Sequence, residues 1–226
     1  MTIYPTINFF GRLTCLSIFS LALSGLATAD GQRSKLPDPV NDVTLAKSTS
    51  QQTAVFAGGC FWGVEAVFRH VNGVISATSG YAGGSARSAN YEQVSSGATG
   101  HAEAVQVIYD PQKISYGQLL KIFFAVAHNP TELNRQGPDH GTQYRSAIFT
   151  TSDSQRKVAL AYINQLQAVR VYADPIVTQV QPLPVFYVAE DYHQNYLAQH
   201  PTQPYIVIND LPKIQHLREQ FPTLYR

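Results

Sequence analysis

The stretch TAVFAGGCFWGVEAVFRH, Thr53 to His70, contains two periodicities joined by a pair of glycines. TAVFA, Thr53 to Ala57, is a short apolar run of strand length, whereas Phe61 to His70 carries its apolar residues at helical spacing. Gly58 and Gly59 permit a tight turn between them, with backbone close to whatever follows. The segment predicts strand, turn and helix, and it places Cys60 at the junction.

Working outward, the same logic organises the rest of the chain. GYAGG, Gly80 to Gly84, with the polar Ser85 to Asn90, is predicted to be a long loop. AVQVIY, Ala104 to Tyr109, reads as a strand closed by Asp110-Pro111. Ser115 suits the N-cap of a helix running to Ala127, with an apolar face to bury on the sheet, and His128-Asn129-Pro130 ends it. After a polar loop from Thr131 to Gln143, YRSAIF from Tyr144 to Phe149 is a predicted strand. Thr151 to about Val169 is a second long helix capped at Thr151 or Ser152. Ile176 to Gln181 is a further strand, cut by Pro182 and Pro184. Strands alternating with helices, without an internal repeat, imply an α/β or α+β two-layer sandwich around a mixed sheet; the fold class expected is α+β, a two-layer α/β sandwich with a ferredoxin-like core.

The 226 residues are 44% hydrophobic and only 14% charged, the composition of a soluble globular protein rather than a disordered one. At the N-terminus Arg12 precedes the apolar run Leu13 to Leu23. Ala27-Thr28-Ala29 then supplies the small-residue pattern of a secretory cleavage site. Residues 1–29 are therefore expected to be an export signal cut after Ala29, too short and interrupted for a spanning anchor. The polar, proline-broken residues 30–52 are expected to be a flexible leader, and 53–226 the catalytic domain. The destination would be the periplasm or the medium.

Cleavage removes Arg12, one of 16 basic residues, and none of the 15 acidic ones, so the mature chain is uncharged overall. No basic patch suggests nucleic acid. Of the two cysteines, Cys15 leaves with the signal. Exported proteins usually pair their cysteines, but Cys60 alone can form no internal bridge. It is either a buried inert thiol or a reactive one. A helix N-terminus lowers a thiol pKa from about 8.5, so its position alone is expected to activate it. The flat apolar rings of Phe61 and Trp62 lie beside it in sequence.

GGCFWG at Gly58, SGYAGG at Ser79, Asn90-Tyr91, GHAEAV at Gly100, DHGTQYRS at Asp139 and AEDYHQ at Ala189 together resemble the peptide methionine sulfoxide reductase A family. That family reduces the S epimer of methionine sulfoxide, and the resemblance covers roughly Thr53 to the C-terminus. It implies Cys60 as the nucleophile and Glu103 as the acid that protonates the sulfoxide oxygen. Tyr91 and Tyr144 would hold that oxygen, Phe61 and Trp62 would cup the methyl group, and Asp139 would support the polar side of the pocket. It implies no metal and no cofactor beyond an external thiol reductant such as thioredoxin, glutaredoxin or a small thiol. The partners would be oxidised proteins and that reductant, and the enzyme would act as a monomer, not inserted in a membrane.

The chemistry itself asks for an acid, because the sulfoxide oxygen leaves poorly unless protonated. A water-exposed carboxyl would be ionised at neutral pH, whereas burial would keep it neutral. Strand alternation alone could equally turn Glu103 to solvent. Glu65 reads as an ordinary helix residue, and His101, His128, His140 and His193 as satisfied polar residues, since no HxxxH or CxxC pair supports a metal. The sequence departs from many relatives in lacking a second, C-terminal cysteine, and in carrying Asn129 where an aspartate is common. Two other readings of Cys60 stand beside the resemblance: a cysteine hydrolase or acyltransferase with a histidine base, and a non-catalytic thiol module.

Overall fold

The computed structural model describes residues 1–2, 36–43, 45 and 50–226. The expected export signal and its cleavage site lie outside the described residues. Internal packing divides the chain between residues 32 and 33, and the fold below is that of Arg33–Arg226.

In chain order the elements are β1 (Gln52–Gly58), α1 (Phe61–Arg69), β2 (Val74–Ala82), α2 (Tyr91–Val94), β3 (Ala102–Tyr109) and α3 (Tyr116–Ile122). There follow β4 (Arg135–Gln136), β5 (Asp139–His140), β6 (Ser146–Thr150), α4 (Asp153–Ala168), β7 (Gln179–Pro182) and β8 (Phe186–Val188). Two helices, α5 (Tyr196–Gln199) and α6 (Leu211–Gln220), complete the chain.

Six strands form one sheet in the order β7-β6-β1-β3-β2-β8, with β4 and β5 a separate hairpin. Every neighbouring pair in the large sheet is antiparallel except β6 with β7. The inner four strands, β6-β1-β3-β2, are linked as β1-α1-β2-β3-α3-β6, which is the expected ferredoxin-like core inside an α+β sandwich.

One sheet face is covered by helices. Phe56, Val105, Val107 and Ile148 meet Val64, Val67 and Phe68 of α1, Leu119 and Leu120 of α3, and Val158, Ile163 and Leu166 of α4. The Phe56 ring stacks between Phe68 and Phe123 at 5.0 and 4.9 Å. On the opposite face Val55, Ala57, Ala104, Ala147 and Phe149 are closed over by Leu183 and Phe186. With both faces covered, β1 has to be apolar throughout rather than alternating, as TAVFA is.

Several local expectations hold and others shift. Ser115 caps α3 in a reciprocal capping box with Gln118, and the helix widens into a π-helical turn over Phe123–Ala127 before it stops. Ser152, not Thr151, caps α4. Tyr144 lies in a 3₁₀ turn ahead of β6 rather than in the strand. The strand expected at Ile176 begins at Gln179 and includes Pro182, which an edge strand tolerates.

The loop expected from Gly80 begins later, because Gly80-Tyr81-Ala82 are the end of β2. A side chain at Gly80 would meet the Tyr187 carbonyl and the Phe186 ring at 2.3 Å, so this glycine marks close strand approach and not a turn.

The leader is also corrected over 36–43. Leu36 is buried in the main core. The Tyr162 hydroxyl donates to the Pro37 carbonyl at 2.9 Å, Asp38 pairs with Lys121 at 2.7 Å, and Asp42 accepts from Ser115 and from the Gly117 N–H. Asp42 thus adds a second cap to α3 from 75 residues away. A polar composition hid one buried leucine and one capping aspartate. Leu36→Ala is expected to cost about 2–4 kcal/mol in urea denaturation; a change below about 0.5 kcal/mol would show that the strap contributes nothing.

Candidate active site

The strand-turn-helix around Cys60 is built by its glycines. Gly59 has φ 89°, and a side chain there would strike Gln136 at 2.5 Å. One at Gly58 would strike the His128 ring at 2.9 Å. The backbone can therefore turn tightly between β4 and the π-helical turn and deliver Cys60 as the N-cap of α1.

Glu103 reaches the same point from β3, where it lies opposite Tyr81 of β2. Its Oε2 accepts the Phe61 backbone N–H at 3.0 Å. This bond closes one of the unpaired donors at the start of α1 and holds the carboxyl against the turn that carries Cys60. The carboxyl is 2% exposed. Burial pushes its pKa up to about 8, against the Phe61 N–H, with Asp139 adding to the rise. Strand alternation does not send Glu103 to water, because both faces of β3 are covered here.

The state of Cys60 differs from expectation. Burial raises its pKa well above the ordinary thiol value, with Glu103 and Asp210 adding to the rise; the Trp62 N–H and Lys213 oppose it without prevailing. Desolvation outweighs a short helix's partial charge, so the resting sulfur is a thiol.

The other predicted residues converge on this pair. Tyr91 opens α2 behind its Asn90 cap, and its N–H donates to Glu190 at 2.9 Å. Burial raises the Tyr91 and Tyr144 hydroxyls above the usual tyrosine range, and nearby Glu103 raises both further. Both remain neutral donors. Asp139, on β5, accepts a hydrogen bond from Tyr205. Phe61 packs between Tyr81 at 5.9 Å and His193 at 4.9 Å. Trp62 stacks on Tyr196 at 3.8 Å, meets Tyr205 edge-on, and donates its indole N–H to His193 Nδ1 at 3.1 Å.

Sequence reasoning left four residues here without roles. Glu190 accepts from the Tyr81 hydroxyl and from Tyr91, tying β2 to α2. Tyr205 orients Asp139. Asp210, fully buried and paired with Lys213 at 3.0 Å, lies against Gly63, where a side chain would meet its carboxylate at 2.1 Å. His193 is the fourth, and it is not the satisfied polar residue expected: its Nδ1 accepts from Trp62, but its buried Nε2 has no partner among the described residues. Glu190 and His193 fall within AEDYHQ, so their signal was visible; nothing local marked the other two.

Glu65 is not an ordinary helix residue. It is buried, and it accepts from the Ser79 hydroxyl at 2.8 Å and the Asn195 N–H at 2.9 Å while pairing with Arg69. It anchors α1 to β2 and to the start of α5. His101 and His128 are satisfied as expected. The first accepts from Gly84 N–H and donates to the Ser85 carbonyl; the second bonds the Phe123 carbonyl and the Ser146 hydroxyl. Asn129 accepts from Thr131 and is held through its backbone by Gln136, the side chain that abuts Gly59. An aspartate could accept the same bonds. Among the described residues, no three His, Cys, Asp or Glu side chains are grouped to hold a metal ion.

The family model described as peptide methionine sulfoxide reductase matches residues 52–224. The chain belongs to the peptide methionine sulfoxide reductase family. It is 58% identical over 174 residues to peptide methionine sulfoxide reductase MsrA 2 of Mesorhizobium japonicum, covering 77% of this chain and 89% of that one. With the MsrA 2 of Synechocystis it shares 50% over 188 residues, covering 82% and 88%. Among solved structures, reduced Mxr1 from Saccharomyces cerevisiae superposes with TM-score 0.62 at 34% identity, over 71% of this chain and 94% of that one. Methionine sulfoxide reductase A of Corynebacterium diphtheriae gives 0.59 at 34%, over 76% and 86%. The reductase is thus an oxidoreductase acting on a sulfur group, drawing its electrons from thiols.

Proposed function

We propose that the reductase acts on the S epimer of methionine sulfoxide through a one-cysteine cycle, with Cys60 as nucleophile and Glu103 as acid. The observation that carries this reading is the carboxyl bound to the Phe61 N–H, neutral at pH 7 and one residue from the sulfur. Tyr91 and Tyr144 hold the sulfoxide oxygen, Phe61 and Trp62 cup the methyl group, and Asp139, oriented by Tyr205, faces the polar side.

The Cys60 sulfur attacks the sulfoxide sulfur while Glu103 protonates its oxygen. The transient S–S bond made by that attack then breaks together with the sulfoxide S–O bond as the protonated oxygen passes to the Cys60 sulfur, and methionine departs reduced by two electrons. The thiol proton restores Glu103, so Cys60–SH and sulfoxide become Cys60–SOH and thioether. A neutral thiol beside a neutral acid suits this exchange, because neither charge exists until both move together.

With no second cysteine after residue 29, an external thiol then attacks the sulfenic acid, releasing water and leaving a mixed disulfide. A second thiol restores Cys60. Thioredoxin, glutaredoxin or a small thiol could supply both. Residues 1–29 support export, so the substrates would be oxidised proteins of the periplasm or the medium, met by a monomer. A hydrolase would need a histidine nitrogen free to act as base, yet His101 and His128 already use both ring nitrogens, and His193 accepts the Trp62 indole N–H at Nδ1, which leaves the proton on its Nε2.

Purified protein, dithiothreitol and the two epimers of N-acetylmethionine sulfoxide test this. Consumption of the S epimer alone is expected, with at least about 100-fold preference. Equal consumption of both, or of neither, would overturn the reading.

A further inference from the structure

Asp210 is a buried carboxyl that the sulfoxide step does not use. It closes the π-helical turn Ile206–Asp210 ahead of α6 and is 0% exposed. Oδ1 accepts from Lys213 Nζ at 3.0 Å, whereas Oδ2 is buried with no hydrogen-bond partner among the described residues. A carboxylate oxygen left unmet in a dry site is unfavourable unless it serves a donor that comes and goes.

Its position points to that donor. A side chain at Gly63 would meet Asp210 Oδ1 at 2.1 Å and Lys213 Nζ at 2.6 Å, so the pair sits on the first turn of α1, whose N-cap is Cys60. Tyr205, at the head of the same π-helical turn, bonds Asp139 and meets Trp62 edge-on. The titratable and charged groups facing Asp210 are therefore Lys213, Cys60, Tyr205 and Asp139. Burial raises the Asp210 pKa above the ordinary aspartate value, Lys213 opposes the rise and Asp139 adds to it. A carboxylate placed in this way is a stronger base than an exposed one.

The one-cysteine cycle of the proposed function, on which this inference rests, needs a base. Thiolates attack sulfur and thiols do not. Glu103, Tyr91 and Tyr144 enter the recycling step as proton donors, Asp139 already holds the Tyr205 hydroxyl, and His193 Nδ1 holds the Trp62 indole. Asp210 Oδ2 is the buried acceptor that remains.

We infer that Asp210 is the proton acceptor of the recycling step: Oδ2 takes the proton of the external thiol as its sulfur attacks Cys60–SOH. The thiol S–H bond breaks and a bond forms between the two sulfurs. The Cys60 S–O bond breaks, and hydroxide leaves as water with the Glu103 proton. The Cys60 sulfur is reduced and the thiol sulfur oxidised, giving the mixed disulfide. Passage of the Asp210 proton to Glu103 through solvent resets both carboxyls.

The test separates the two half-reactions. Cys60–SOH is formed with one equivalent of N-acetylmethionine-S-sulfoxide and no thiol, then mixed with 2-mercaptoethanol, and its loss is timed by mass spectrometry. In wild type the recycling rate should change little from about pH 6 to 7.5, because Asp210 removes the proton while Glu103 is still protonated. In Asp210→Asn the ratio of the recycling rate to the single-turnover rate of methionine release should fall about 100-fold. The residual recycling rate should climb about tenfold per pH unit, following the thiolate already present in solution.

Equal losses in both half-reactions, or a variant whose pH profile stays flat, would overturn the inference. If Asp210→Asn does not fold, the wild-type profile decides: a flat rate supports the assignment, and a tenfold rise per pH unit overturns it. Wild-type protein that forms no Cys60–SOH from the sulfoxide would be a different result, overturning the one-cysteine cycle and this inference with it.

Discussion

Replacing Glu103 by glutamine lowers the single-turnover rate of sulfoxide reduction by about 10² to 10⁴-fold, and the protein remains folded. Glutamine can still accept the Phe61 N–H, but it has no proton to surrender to the departing oxygen. The same change should make the protein more stable in alkali. The native carboxyl titrates at about 8, whereas unfolding returns it to an ordinary value near 4.5. Between those values the unfolded chain binds fewer protons than the native one, so stability falls as pH rises. This contribution is complete below about pH 4.5 and is lost as pH climbs through 8. Glu103→Gln removes the slope, and at pH 9 the variant should exceed wild type by on the order of 3–5 kcal/mol. Urea denaturation at pH 5 and pH 9 measures the difference; equal effects at both would mean the native carboxyl is not held neutral. Wild-type turnover should correspondingly decline above about pH 8, as the acid ionises.

Changing Cys60 to serine removes the reaction altogether, a loss of roughly 10⁵-fold or more. A hydroxyl in this dry turn is a far weaker nucleophile and forms no counterpart of the sulfenic acid. Wild-type protein given sulfoxide and no thiol should produce one methionine per chain and then stop, because Cys60 is the only cysteine after residue 29. Cys60→Ser should produce none. Two methionines per wild-type chain would contradict a one-cysteine cycle, and residual activity in the serine variant would remove Cys60 from the chemistry.

The strand, turn and helix around Cys60 were legible in eighteen consecutive residues because each depends on near neighbours. Periodicity chooses which face is buried, and glycines relieve the clashes of a tight turn. The Ser115 cap was legible for the same reason. The end of β2 was not, since Gly80 is needed for contact with β8, and only pairing reveals why a glycine stands inside a strand. Nor was the docking of 36–43, where two side chains matter and the polar residues between them dominate composition.

At the active site the residue types were readable, but their protonation states were not. The family motifs named Cys60, Glu103, Tyr91, Tyr144, Phe61, Trp62 and Asp139, and the chain's local order put the sulfur at a helix start. Whether that sulfur rests as thiol or thiolate depends on how much water the folded core excludes, and on carboxyls delivered from β3 and from beside α6. Glu103 meets the Phe61 N–H from 42 residues away, and His193 meets Trp62 from 131. The sequence by itself determined which groups are present and the turn that presents Cys60. Only the tertiary structure decided which of them are neutral and which donor is left unpaired, because desolvation and long-range hydrogen bonding are set by every element that closes over the site.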